Sequence, residues 1–166
     1  MLNIDLRNLL HEITLNHPSI HERLLMERAK NHSINVIAGF GGDLRYNCVM
    51  YALNLHDDQC YLELRLKLPQ DIHADTNFLK FLIQRDILFE FENGEIAVYF
   101  ENSQIKHVGI YKSQNTVVSK WGIGLLYEHG LFEVPSNYGE TIKNYSIRDS
   151  SLIFPFFKKY VESLNN

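Results

Sequence analysis

ILFEFENGEIAVYFENSQIKHVGIYKSQNTVVSKW, residues 87–121, is the stretch that decides the fold class. Ile87 to Phe91, Glu95 to Glu101, Lys106 to Tyr111 and Thr116 to Trp121 read as successive short strands, rich in β-branched and aromatic residues. Asn93-Gly94 is a strong turn signal, because tight hairpin turns need residues that tolerate positive φ. Asn102-Ser103 and Ser113-Gln114-Asn115 are weaker turn signals.

Towards the N-terminus the period changes. Leu2, Leu6, Leu9, Leu10 and Ile13 have helical spacing. Pro18 suits the first turn of a second helix through about Lys30, with Ile20, Leu24, Leu25 and Ala29 on its apolar face. Residues His32 to Ala38 fit no single template, and Phe40-Gly41-Gly42-Asp43 reads as a loop. A helix is expected from about Asn47 to Leu55. Tyr61 to Leu68 alternates leucine with Glu63, Arg65 and Lys67, which argues for a strand, although these residue types also suit helices. Asp75 or Thr76 caps a helix through about Arg85. After Pro135 the pattern is less regular, and the apolar tail through Phe157 gives way to Lys158 and Lys159. Helices first and a strand meander after predict an α+β fold, with N-terminal helices packed on an antiparallel sheet. The 166 residues are expected to form one domain, 1–166, with a helical extension over about residues 1–35.

A composition of 45% hydrophobic and 22% charged residues suits an ordinary globular chain, and a net charge of −4 shows no basic bias. Nucleic acid and anionic membranes are therefore not expected partners. The charge-broken N-terminus shows no secretory signal, and no stretch approaches the ~18 apolar residues of a membrane span. The expectation is cytoplasmic residence, or export by a route that needs no signal peptide. Cys48 and Cys60 make no disulfide framework and are expected as free thiols.

Covalent chemistry falls to Cys48 and His107. Cys48 opens the helix that begins Asn47-Cys48-Val49-Met50-Tyr51, where unpaired N–H groups and the helix dipole favour a thiolate. His107 lies in the strand Ile105-Lys106-His107-Val108-Gly109-Ile110-Tyr111 and could serve as base and then acid. Gly41 and Gly42 would let a loop approach the thiol closely. Against this stand ordinary alternatives: Cys48 as a small buried hydrophobe, and His107 as a strand histidine satisfied by a carbonyl. Asn47 reads first as a helix cap. Trp121 reads as packing with a wet edge, or as a groove wall, and Lys120 has a similarly split reading. Glu128 and His129 read equally as a solvated pair or as a third catalytic partner. The remaining histidines have no ligand spacing, so neither a metal nor a cofactor is expected.

The order of helix with cysteine, hairpin, strand with histidine and next strand resembles the NlpC/P60-like branch of the papain-like cysteine peptidases, over about Phe40 to Trp121. His107-Val108-Gly109-Ile110-Tyr111 is the closest local match, and Gly94-Glu95-Ile96-Ala97-Val98 stands for the preceding strand. The resemblance implies Cys48 as nucleophile, His107 as base and Ser119, on the next strand, as the residue that orients the imidazole. Asn47, Lys120, Trp121, Glu128 and His129 are supporting candidates. Val117-Val118-Ser119-Lys120-Trp121-Gly122, Glu128-His129-Gly130 and Val134-Pro135-Ser136-Asn137-Tyr138-Gly139 look like a narrower bacterial group that is a sequence family rather than an activity. The chain departs from the cell-wall enzymes at Asn47-Cys48-Val49-Met50-Tyr51, at Glu95 in place of aspartate, and at Ser119 in place of a stronger orienter.

The function so implied is a thiol hydrolase acting on an amide or peptide bond through an acyl-enzyme. It would be an intracellular peptidase, or a toxin or effector delivered to another cell, with a peptide or protein as substrate. Deamidation and acyl transfer would use the same dyad. A non-catalytic papain-like binding or immunity protein is the alternative.

Overall fold

The computed structural model describes residues 2–38, 46–122 and 124–165. The expected loop at Phe40-Gly41-Gly42-Asp43, with its two glycines, lies outside them.

Helix α1 spans Ile4–Thr14 and is capped by the Asn3 side chain, which accepts the Leu6 N–H at 3.0 Å. Pro18 opens a short 3-10 turn, Pro18–Ile20, that leads into α2, His21–Arg28. The ambiguous segment becomes strand β1, Asn35–Ala38. Helix α3 is a single short run, Cys48–Ala52, capped by Asn47 as expected: its side chain accepts from Met50 N–H and donates to the Ala74 carbonyl. Asn54 adopts φ 56° just beyond, which ends the helix before the expected Leu55.

Two expectations are corrected. Tyr61 to Leu68 is not a strand; helix α4, Gln59–Arg65, takes its place. The Asp58 side chain accepts from Tyr61 N–H at 2.8 Å and caps a run of good helix formers. The leucine alternation carries no burial pattern, since Leu66 is 83% exposed while Tyr61 is fully buried. The second correction concerns the meander. After α5, Thr76–Gln84, capped by Asp75 as expected, come β2 (Leu88–Glu90), β3 (Ile96–Glu101), β4 (Gln104–Ser113), β5 (Thr116–Lys120), β6 (Leu126–Gly130) and β7 (Thr141–Ile147). The chain closes with α6, Ile153–Leu164.

The strands form one antiparallel sheet in the order β1-β6-β5-β4-β3-β7-β2. Strand β7 therefore lies between β2 and β3, and Asn93-Gly94 makes no hairpin between them. Neither residue has a positive φ. Gly94 is needed for another reason: a Cβ there would stand 2.3 Å from the Tyr145 carbonyl oxygen on β7. The positive-φ pair is Asn102 (49°) and Ser103 (65°), the turn between β3 and β4.

Both faces of the sheet are covered, which explains the run of buried residues in β3. Ile96 and Val98 join Val108 and Tyr145 beneath α3, α5 and α6, with Phe78 and Phe157 at the centre of that layer. Ala97 and Tyr99 join Val117 and Tyr127 on the other face, beneath Leu6, Leu10 and Ile13 of α1 and Leu25 of α2. The architecture is α+β, with helices on both faces of an antiparallel sheet. No helix among the described residues is long and apolar enough to cross a membrane.

Candidate active site

Helix α3 packs on β4 and β5 with Cys48 at its first position. The β4–β5 pairing runs from Ser113↔Thr116 to Ile110↔Val118, while the β5–β6 pairing continues to Lys120↔Leu126. The N-terminus of α3 thus meets β4 at Val108, just past the last paired residue. Burial pushes the Cys48 thiol up to about 11, against the backbone N–H groups of Val108, Val49 and Cys48 itself, which pull it down. Desolvation outweighs the helix N-terminus here, so the resting thiol is neutral.

His107 is 1% exposed and its side chain takes the opposite face of β4 from Val108, the face shared with its cross-strand neighbour Tyr99. The rings of His107 and Tyr99 lie 5.4 Å apart. Tyr138 stacks on the imidazole at 4.1 Å between centroids and 22° between planes. Desolvation, and then the neighbouring His129, hold His107 well below the usual histidine range. Its Nε2 is buried without a hydrogen-bond partner. Burial, and then the neighbouring Cys48 thiol and Tyr127, raise the Tyr138 hydroxyl, while the Gly122 N–H that bonds to it pulls it down.

Ser119 is committed elsewhere. His129 Nδ1 lies 2.8 Å from the Gly130 carbonyl, which can only accept, so Nδ1 carries the proton. Nε2 of His129 then accepts the Ser119 hydroxyl at 2.7 Å, and Trp121 Nε1–H donates to Ser119 Oγ at 3.2 Å. His129 is not a solvated residue: it is fully buried on β6, and burial lowers it to about 4. Trp121, at 2% exposure, packs without a wet edge because its N–H is satisfied internally. Glu128 points the other way along β6 and pairs with Lys112. Lys120 is buried with its Nζ 4.1 Å from the centre of the Tyr46 ring. Cys60 is an exposed free thiol.

The structure therefore sets the Cys48 thiol of α3 against the backbone of Val108, next in β4 to His107, whose ring lies on the opposite face of the sheet with no hydrogen bond to the thiol. It gathers Ser119, Trp121 and His129 into a separate buried network. Sequence reasoning gave no role to Tyr138 or Arg7. Arg7 of α1 is buried and donates to four backbone carbonyls in the segment that carries Tyr138: Val134 (3.2 Å), Pro135 (3.4 Å), Ser136 (3.5 Å) and Gly139 (2.5 Å). A signal was present in the spacing, since Arg7 stands three residues before Leu10 on the flank of an apolar stripe.

Fold and site define an α+β protein in which the thiol of a helix-borne cysteine lies against the strand backbone at Val108, one residue from a histidine whose ring occupies the other face of the sheet. The chain belongs to a domain family of unknown function (DUF7689), whose profile it matches over residues 41–146. That span includes Cys48, His107, Ser119, His129 and Tyr138, and excludes Arg7. No curated protein and no solved structure gives a significant match.

Proposed function

We propose that the protein is a thiol hydrolase acting on amide bonds, with Cys48 as nucleophile and His107 as general base, held in a covered resting state. The observation that carries this reading is the buried, unpartnered Nε2 of His107 beside the strand position that meets the Cys48 thiol. An unpaired buried polar atom costs ~1–3 kcal/mol, and a catalytic role is one of the ways such a cost is explained. Thiol and imidazole are both neutral at rest, so His107 acts as a true base. Catalysis requires that the His107 ring, which rests on the opposite face of β4, reach the thiol; the Cys48 S–H proton then passes to His107 as sulfur bonds to the carbonyl carbon, and on to the leaving amine as the C–N bond breaks. Water attacks the thioester, giving one proton to His107, which returns it to the departing sulfur. Peptide substrates, an intracellular or effector role, and membership of the papain-like peptidases rest on the sequence resemblance.

The test is labelling by an acyl-transferring thiol probe in a Cys60→Ser background. Label on Cys48 that is lost in Cys48→Ala and strongly reduced in His107→Ala supports the reading. Folded protein that takes no label at Cys48 sinks it. The second reading, a non-catalytic binding protein, is favoured by one observation: His107 lies sealed beneath Tyr138 on the sheet face opposite the α3 core.

A further inference from the structure

The structure assigns to Tyr138 the positioning of His107, and to Arg7 the holding of Tyr138, so that the N-terminal helix forms part of the site. This deepens, and rests on, the reading of Cys48 and His107 as a reacting pair.

A catalytic imidazole needs a fixed ring plane. A third residue usually fixes it by accepting a hydrogen bond. Here Ser119 has given its one proton to His129 and one lone pair to Trp121. The buried Nε2 of His107 has no partner at all. What fixes the ring is aromatic contact from two sides: Tyr99 on β3 at 5.4 Å and Tyr138 at 4.1 Å, near-parallel. The Tyr138 ring at that distance keeps water off the imidazole, and it costs no hydrogen bond while the ring is neutral.

Tyr138 sits in a 3-10 turn, Ser136–Tyr138, too short to hold its own place. Two contacts hold the backbone of the turn. Gly139 takes φ 98° and passes so close to β3 that a Cβ would meet the Phe100 carbonyl oxygen at 2.6 Å. Arg7 grips the carbonyls on both sides of Tyr138, at Ser136 and Gly139 as well as Val134 and Pro135. A buried guanidinium spent wholly on the backbone of one turn is a clamp, since charge-assisted bonds of this kind are stronger than neutral ones. The titratable groups that face His107 are Tyr99, Tyr138 and His129, while the Cys48 thiol lies against the backbone of Val108, the next residue along β4.

The experiment is a histidine NMR titration of the full chain in the Cys60→Ser background, with the alkylation rate of Cys48 measured beside it. Tyr138→Leu removes the ring, Tyr138→Phe removes only the hydroxyl, and Arg7→Met releases the clamp. Tyr138→Leu and Arg7→Met are expected to return the His107 titration towards ~6.5 and to speed Cys48 alkylation by about tenfold or more. Tyr138→Phe is expected to leave the His107 titration where it is in the parent chain. Folded Tyr138→Leu with an unchanged His107 titration overturns the proposal, as does a Tyr138→Phe variant that behaves like Tyr138→Leu. If Arg7→Met does not fold, Arg7→Lys, which keeps charge but loses the fork, is expected to shift His107 in the same direction; a folded Arg7 variant without that shift overturns the clamp. Failure of acyl labelling, by contrast, removes the hydrolase reading and leaves the His107 titration to decide the positioning.

Discussion

Removing the Cys48 thiol should flatten part of the protein's alkaline instability. Burial raises the thiol from 9.0 to about 11 in the folded chain. A group that holds its proton more tightly when folded contributes stability in full below its unfolded value, and that contribution is lost as pH rises through the folded value. The window is therefore pH 9 to 11. From these two values the wild-type chain should lose about 2 kcal/mol between pH 8 and pH 10.5 that Cys48→Ala does not lose. Buried tyrosines also titrate high, but they are common to both chains and cancel in the difference. Urea unfolding of both at the two pH values measures it, with the m-value checked for constancy. Alkylation supplies an independent arm: in Cys60→Ser the Cys48 rate should climb about tenfold per pH unit through pH 10, as for a thiol that is rarely ionised. An alkylation plateau below about pH 9, with no difference between the stability slopes, would refute the reasoning. It would mean that the three N–H groups at the sulfur, or a thiolate–imidazolium pair with His107, outweigh desolvation.

Acid should destabilise the fold through the histidines. His129 is held neutral down to about 4, so its contribution is present above ~6.5 and falls away as pH drops through the folded value, by on the order of 3 kcal/mol in all; urea midpoints from pH 7 to pH 4 should fall steeply in wild type and less so in a folded His129→Gln. Gly139→Ala should cost more than ~1 kcal/mol, because φ 98° and the Phe100 carbonyl both oppose a Cβ, and should speed Cys48 alkylation by loosening Tyr138. Asp75→Ala, which removes a side chain accepting from Asn77 and Phe78 N–H, should lower stability by about 1 kcal/mol with the Cys48 rate unchanged. Phe157→Ala, at the centre of the layer beneath α6, should cost ~3–5 kcal/mol.

Local chemistry was legible in the sequence wherever it was self-contained. The spacing of Leu6, Leu10 and Ile13, the Asp75 cap and the strand runs from Ile96 to Lys120 each needed only neighbours in the chain, and each is present. Errors arose where a long-range contact chose between local options. Tyr61 to Leu68 alternates like a strand, but Tyr61 buries its ring against Phe157 of α6, 4.9 Å away, and donates its hydroxyl to Met50 Sδ. That contact needs a helix pointing one residue inward. Asn93-Gly94 has hairpin composition, yet its glycine serves the passage of β7, a strand nearly fifty residues later. Strand β7 itself, with Lys143, Asn144 and Ser146 among its seven residues, has too little apolar content to announce itself.

The same distinction explains the site. The helix start at Cys48 and the strand at His107 were legible because each carries its own local signature. Ser119 was chosen as the third member by counting along the next strand, which assumes that a residue in the right place is free to act. The hydroxyl was already taken, and its taker was His129, the very residue held as an alternative. A hydroxyl has one proton to give, and the Gly130 carbonyl fixes the His129 tautomer that receives it. Orientation of His107 therefore passes from hydrogen bonding to ring stacking, and from the strand core to a turn clamped by Arg7, more than a hundred residues away in sequence. No spacing rule reaches that far. The consequence is mechanical: a stacked ring can slide aside without leaving a broken hydrogen bond, whereas a serine partner cannot. Arg7 and Tyr138 can thus cover His107 tightly at rest and still release it, provided the clamp on the 134–139 turn is the part that yields.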